Sequence, residues 1–134
     1  MPKKVHYWTG IVFLVIFLLS GLYMKWGFPE LYDGNQTSRM MFRANHIYLL
    51  LAALINILFS FSAGRVITQK SRKIINVASV LIILSPLLLL IAFVTETQSL
   101  QFERSFTLLG IVSVLSGVLI AAIGYRLEKR KSND

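Results

Sequence analysis

Apolar side chains fill four long blocks of this chain, at about 5–24, 43–63, 74–94 and 105–125, with short polar stretches between them. A hydrocarbon layer about 30 Å thick is crossed by about 20 residues rising about 1.5 Å each, so every block is long enough to span it once. With their flanks, the blocks predict helices over about 5–24, 39–63, 74–94 and 105–126. The connections carry the punctuation: Gly27, Pro29, Gly34 and Asn35 after the first block, Gly64 after the second, and the polar run from Thr95 to Glu103 after the third. Only a helix satisfies its own backbone in lipid without closing a barrel. The expected fold is therefore all-α, a polytopic four-helix transmembrane bundle forming a single domain over 1–134. The first block has no Lys, Arg, Asp or Glu between its ends, exceeds a signal-peptide core in length and is followed by no small-residue cleavage site, so it reads as a retained span.

Composition agrees with a lipid environment, because 55% of the residues are hydrophobic and only 15% charged, against about 45–50% and about 25% for a soluble domain. Charge placement then orients the chain. Lys3, Lys4, Arg65, Lys70, Arg72, Lys73, Arg126, Lys129, Arg130 and Lys131 fall on one side with only Glu128 and Asp134, which puts the whole net charge of +8 there. On the other side Lys25, Arg39, Arg43 and Arg104 balance Glu30, Asp33, Glu96 and Glu103. The positive-inside rule makes the basic side cytoplasmic and both termini internal. Tyr7, Trp8 and Tyr125 then anchor the inner boundary, and Tyr23 and Trp26 the outer one. Basic residues so close to helix ends address anionic lipid, not nucleic acid. The triplet Asn35-Gln36-Thr37 fits the glycosylation pattern but lies in a short loop close to the membrane.

Candidate chemistry is sparse. With no Cys, thiolate metal sites, iron–sulfur clusters and c-type haem attachment are excluded. No acidic residue lies at mid-span, which disfavours a proton-coupled antiporter of the small four-helix type, and no nucleophile–base pair, paired carboxylates or phosphate loop can be assembled for an enzyme. The second block is the most informative. At 100° per residue Arg39, Arg43, His46, Leu50, Ala53, Ile57 and Ser60 share an arc, Asn45, Ala52 and Asn56 adjoin it, and Tyr48, Leu51 and Phe59 look elsewhere. Arg39, Arg43, Asn45 and His46 thus gather near the outer boundary as a candidate site for a haem propionate, a quinone carbonyl or a lipid phosphate. The structural alternative is that the arginines reach headgroups while His46, Asn45 or Asn56 bonds between helices.

Haem b is the sharper alternative, with His46 as the metal ligand and Arg43 on a propionate. The other histidine, His6, is expected at the cytoplasmic boundary, roughly 25 Å from His46 along the membrane normal at about 1.5 Å per residue. Ligands on opposite sides of one iron lie only about 4 Å apart. Haem would therefore need a homodimer, a Met24 or Met41 partner, or a single ligand. In the fourth block Gly110, Ser113, Gly117, Ala121 and Gly124 make a small-residue stripe for close helix packing, within the bundle or against a partner in a membrane complex. Gly10, Phe17 and Gly21 form a looser version in the first, where Ser20 can bond its own backbone. Pro86 beside Ser85 removes one backbone hydrogen bond mid-helix, predicting a kink that is packed around, acts as a hinge or walls a cavity.

The run from Arg39 to Tyr48, preceded by His6-Tyr7-Trp8-Thr9-Gly10 and Ser20-Gly21-Leu22-Tyr23-Met24, resembles the pattern of small uncharacterised four-helix bacterial inner-membrane proteins. The resemblance covers about the first half of the chain. It implies a multi-pass bacterial cytoplasmic-membrane location and brings no activity, cofactor or catalytic residue. Three readings stand open: a non-enzymatic protein with an outer-leaflet site for an anionic or redox-active lipophilic ligand, a b-type haem protein using His46, and a structural accessory subunit.

Overall fold

A computed structural model describes residues 3–31, 36–62, 69–97 and 104–131, with the side chains of 28–31, 130 and 131 left aside. Asp33, Gly34, Asn35, Gly64, Arg65, Glu103 and Asp134, which entered the reading of loops and charge, lie outside these residues. Four helices follow one another: α1 (Lys3–Leu31), α2 (Gln36–Ser62), α3 (Gln69–Thr95) and α4 (Ser105–Lys131). Each contains a stretch long and apolar enough to cross a membrane, so the chain has the architecture of a small multi-pass membrane protein. Most helices overrun their apolar blocks. Segment α1 continues past Gly27, expected as loop punctuation, to Leu31, while α2 starts at Gln36 and α3 at Gln69.

The outer surface is apolar. Leu18 and Leu19 on α1, Leu58 and Phe61 on α2, Val94 on α3, and Leu108 and Leu119 on α4 are all more than half exposed. Water would tolerate such a continuous skin poorly, whereas acyl chains match it.

Helices α1 and α2 pack as one tight hairpin and α3 and α4 as another. The hairpins join mainly through α2 and α3, and among the described residues α1 and α4 do not meet. Glycine sets both close approaches. A Cβ on Gly10 would stand 2.9 Å from the Ala53 carbonyl oxygen and 2.5 Å from Ile57 Cγ1, so α1 meets α2 almost backbone to backbone. On α4, Cβ atoms at Gly110, Gly117 and Gly124 would strike Leu89, Ile82 and Ile75 of α3. The small-residue stripe therefore faces α3, and Ala121 is buried with it. Ser113 is only half-buried, and the fully buried side chain between Gly110 and Gly117 is Val114. Ser113 and Val114 stand three and four residues from Gly110, both compatible with one helix face, and it is Val114 that turns fully inward.

Two apolar clusters fill the interior. One joins Phe13, Phe42, Leu49, Ala52, Ala53, Leu89 and Phe93, and the other Phe59, Ile75, Ala78, Ile82 and Ala121. Between them lies a polar layer centred on Asn56, which is wholly buried. Pro86 has no N–H, so the carbonyl four residues earlier, that of Ile82, loses its helical donor. Asn56 Nδ2 donates to that oxygen at 3.0 Å and with its other hydrogen to Ala52 O of its own helix at 3.0 Å. The Asn56 oxygen then accepts from His6 Nδ1 at 3.0 Å. With Nδ1 as donor, Nε2 of a neutral ring is left to accept from Ser79 of α3, 2.5 Å away.

This corrects the placement of His6. Although it stands within the first turns of α1, it is fully buried between helices, with its ring 4.6 Å from that of Phe59. Phe59, expected to look away from the packed face of α2, is buried for the same reason. One network thus ties α1, α2 and α3 together, and the backbone group freed by a proline is re-satisfied by a neighbouring helix.

Asn56→Leu strips the donor from Ile82 O and the acceptor from His6, and is expected to destabilise the bundle by about 1–2 kcal/mol. In a Pro86→Ala background the helix supplies its own donor to Ile82 O, so the loss should shrink. Equilibrium unfolding of all four variants in mixed micelles measures this coupling. Strictly additive effects would show that the asparagine does not serve the proline-released carbonyl.

Candidate functional site

The helix ends opposite the chain termini gather most of the residues singled out by sequence. Their side chains diverge into three environments. Arg39, half-buried, and Arg43, exposed, line one groove of about 280 Å³ with Gln36 and Met40. Because α2 begins at Gln36, these four residues occupy its first turns. Arg39 and Arg43 stand one turn apart on the same face. Guanidinium groups so placed, with the partial positive charge of a helix N-terminus behind them, suit a phosphate or carboxylate.

His46 turns from this groove toward α1. Its ring stacks on Phe17, centroids 4.1 Å apart and planes 18° from parallel. Its Cε1 would be 3.2 Å from a Cβ on Gly21, so the glycine makes room for the imidazole edge. Ser20 Oγ donates to Phe17 O at 2.8 Å and lies 2.8 Å from His46 Nδ1. Since its one proton is used on the backbone, the hydroxyl accepts from Nδ1–H, and the imidazole bridges α1 and α2. His46 is thus packed between helices, and its Nε2 is the nitrogen left with a lone pair.

Asn45 turns the other way, to α4. It is wholly buried, and its oxygen accepts from Arg104 Nη2 at 3.0 Å, with Thr107 Oγ1 3.1 Å away. Thr107 Oγ1 is also 2.5 Å from Glu96 Oε2, so its single proton faces two acceptors. The carboxylate of Glu96, in the turn after α3, accepts from the backbone N–H groups of Phe106 at 2.5 Å and Thr107 at 3.2 Å. It thereby satisfies the first turn of α4, where negative charge meets the positive end of the helix. Asn45 Nδ2 and Arg104 Nε are buried with no hydrogen-bond partner. A donor of obligate type at Arg104 fixes the amide of Asn45 oxygen-first, so reversing that amide would not repair the mismatch.

Of the four residues that sequence placed in one site, then, Arg39 and Arg43 share a groove. His46 joins α1 to α2, and Asn45 joins α2 to α4. Sequence reasoning missed the Glu96–Thr107–Arg104 cluster. A carboxylate separated from its helix by a polar loop does not follow the usual capping spacing, although Glu96 and Arg104 stand at the two edges of that loop. Among the described residues no three His, Cys, Asp or Glu side chains approach closely enough to hold a metal.

Glu96→Ala should leave the packed part of the bundle intact and loosen only the start of α4, by about 1 kcal/mol. Hydrogen exchange of the Phe106 and Thr107 amides is expected to quicken about fivefold, given about 1.4 kcal/mol for each factor of ten. Unchanged exchange at both positions would remove the capping role.

Compared with protein families, with curated proteins and with solved structures, the chain matches none of them.

Proposed function

We propose that this small multi-pass membrane protein binds the anionic head of a lipophilic molecule in the groove at the start of α2. The observation that carries the reading is the placement of Arg39 and Arg43 on one groove with Gln36. Two guanidinium groups one turn apart offer paired donors to a phosphate or carboxylate, and the amide of Gln36 adds a neutral donor. The apolar skin of α2 below the groove, including Ile47 and Leu51, lets the tail of such a ligand remain in lipid. His46 and Asn45 act behind the groove. Each fastens α2 to a neighbour, so the helix that carries the arginines is held from two sides.

On this reading the protein sits in a bacterial cytoplasmic membrane with both termini inside, and the groove opens in the outer leaflet. The one-sided distribution of basic residues supports that orientation. The reaction inventory supports a binding role over an enzymatic one, because the buried polar groups described here are engaged mainly in joining helices.

The purified chain is tested by native mass spectrometry after exchange into mixed phosphatidylglycerol and phosphatidylcholine. Arg39→Gln combined with Arg43→Gln should reduce retention of the anionic lipid by about tenfold or more, because hydrogen bonds to charged groups contribute about 1.5–3 kcal/mol. Equal retention by wild type and variant would refute the site. A Soret band lost in His46→Ala would favour haem instead.

The chain has no cysteine, so orientation can be read from single introduced thiols. A cysteine at Thr37 should react with an impermeant maleimide added outside cells, and one at Ser132 should not. The reverse pattern would invert the topology.

A further inference from the structure

Helices α2 and α4 are fastened by polar contacts at one end and leave a groove on their outer side toward the other. Near the start of α4, Arg104 and Thr107 hold Asn45 of α2. Toward the end that carries the termini, a groove of about 320 Å³ opens between the two helices, lined by Ile55, Leu58 and Phe59 on one wall and Val118, Ala122 and Tyr125 on the other. Leu58 and Ala122 are exposed, so the groove faces the surrounding lipid.

Two hydroxyl-bearing residues, Ser62 and Tyr125, interrupt this apolar slot, and Ser62 Oγ is spent on Phe59 O of its own helix. The Tyr125 hydroxyl is buried and has no hydrogen-bond partner. A buried hydroxyl in apolar surroundings is unfavourable until an acceptor reaches it. The residues beyond it supply charge. Arg126 and Lys129 are exposed on the following turn of α4, and Lys3, Lys4, Lys70, Arg72 and Lys73 are exposed at the same end of the bundle. Glu128 is the one acidic residue on that turn.

From mid-membrane outward the order is therefore an apolar slot, one hydroxyl donor, then a cationic collar. The same order describes a phospholipid: acyl chain, ester carbonyl, phosphate. Lys129 lies about 6 Å beyond Tyr125 along the helix at about 1.5 Å per residue, a separation suited to different depths of one headgroup region.

We propose that the groove between α2 and α4 seats one anionic glycerophospholipid. Its acyl chain lies between Leu58 and Val118, an ester carbonyl accepts from the Tyr125 hydroxyl, and the phosphate rests beside Arg126 and Lys129. The site is distinct from the Arg39–Arg43 groove, which lies at the opposite end of the bundle.

The test uses the full chain in mixed phosphatidylglycerol and phosphatidylcholine, with bound lipid counted by native mass spectrometry as detergent is raised. Arg39→Gln with Arg43→Gln is the background, so that loss here is separable from loss at the other groove. In that background one phosphatidylglycerol should remain bound. Ala122→Trp, which fills the slot from its lipid-exposed side, should reduce its retention about tenfold without changing the helical circular dichroism. Tyr125→Phe should weaken it about threefold to tenfold, the range for one net hydrogen bond, and leave the preference for anionic lipid intact. Arg126→Gln with Lys129→Gln should abolish that preference. The proposal is overturned if Ala122→Trp keeps the same lipid count, if phosphatidylcholine is held equally well by the unsubstituted groove, or if the retained species is a second copy of the chain.

Discussion

A carbonyl oxygen in the middle of α3 governs how this bundle is joined. Pro86 cannot donate to Ile82 O, and hydrocarbon offers no water to take its place. Asn56 supplies the donor. Having used both amide hydrogens, Asn56 presents only its oxygen, which requires a donor in turn, and His6 provides it. The far nitrogen of that imidazole meets Ser79. Each step follows from leaving no buried polar group unmatched, and together the steps fix the mutual depth of three helices. Close glycine packing already holds α1 to α2 and α3 to α4. The polar layer works where the packing is thinner, between the two hairpins.

The opposite end obeys the same rule with a different outcome. Glu96 completes the first turn of α4, and Thr107 connects that cap to Asn45. Arg104 adds a cationic hydrogen bond to the same amide oxygen. Two buried donors in this cluster stay unmatched, so it is less completely satisfied than the layer around Asn56. Helices α2 and α4 are nevertheless joined here by polar side chains, whereas toward the termini only apolar groups meet and a groove remains beside them. The outline of the molecule thus follows from where its polar side chains can bridge helices.

Much of the fold could be read from the sequence because hydropathy measures the solvent directly. A block of about 20 apolar residues has few alternatives to a spanning helix. Partners were harder to read. Periodicity placed His46, Ala53 and Ile57 on one arc, and they do meet α1, through Ser20 and Gly10. It could not show that the adjoining edge, Asn45, Ala52 and Asn56, is the more deeply buried, because α2 is covered on two sides and not one. His6 looked interfacial by its distance from the end of an apolar block. That distance says nothing of which helices cross above it, and Asn56 and Ser79 come from far along the chain. Ser113 drew attention by its size and its three-residue step from Gly110, a spacing that fits Val114 one residue on as well, so periodicity could not tell which of the two turns fully inward.

The division between buried and exposed polar groups bears on function. The two imidazoles and the amides of Asn45 and Asn56 lie inside the bundle and are largely occupied there: His6 with Asn56 and Ser79, His46 with Ser20, Asn45 with Arg104. Removing any of them for chemistry would orphan its partner in a medium without water. Guanidinium and ammonium groups, by contrast, stand mostly at the perimeter, within reach of headgroups. On the proposed reading, recognition falls at the rim and rigidity in the core. That arrangement suits the proposed approach of ligands sideways, from the bilayer, because binding at the rim leaves every interhelical hydrogen bond of the core in place.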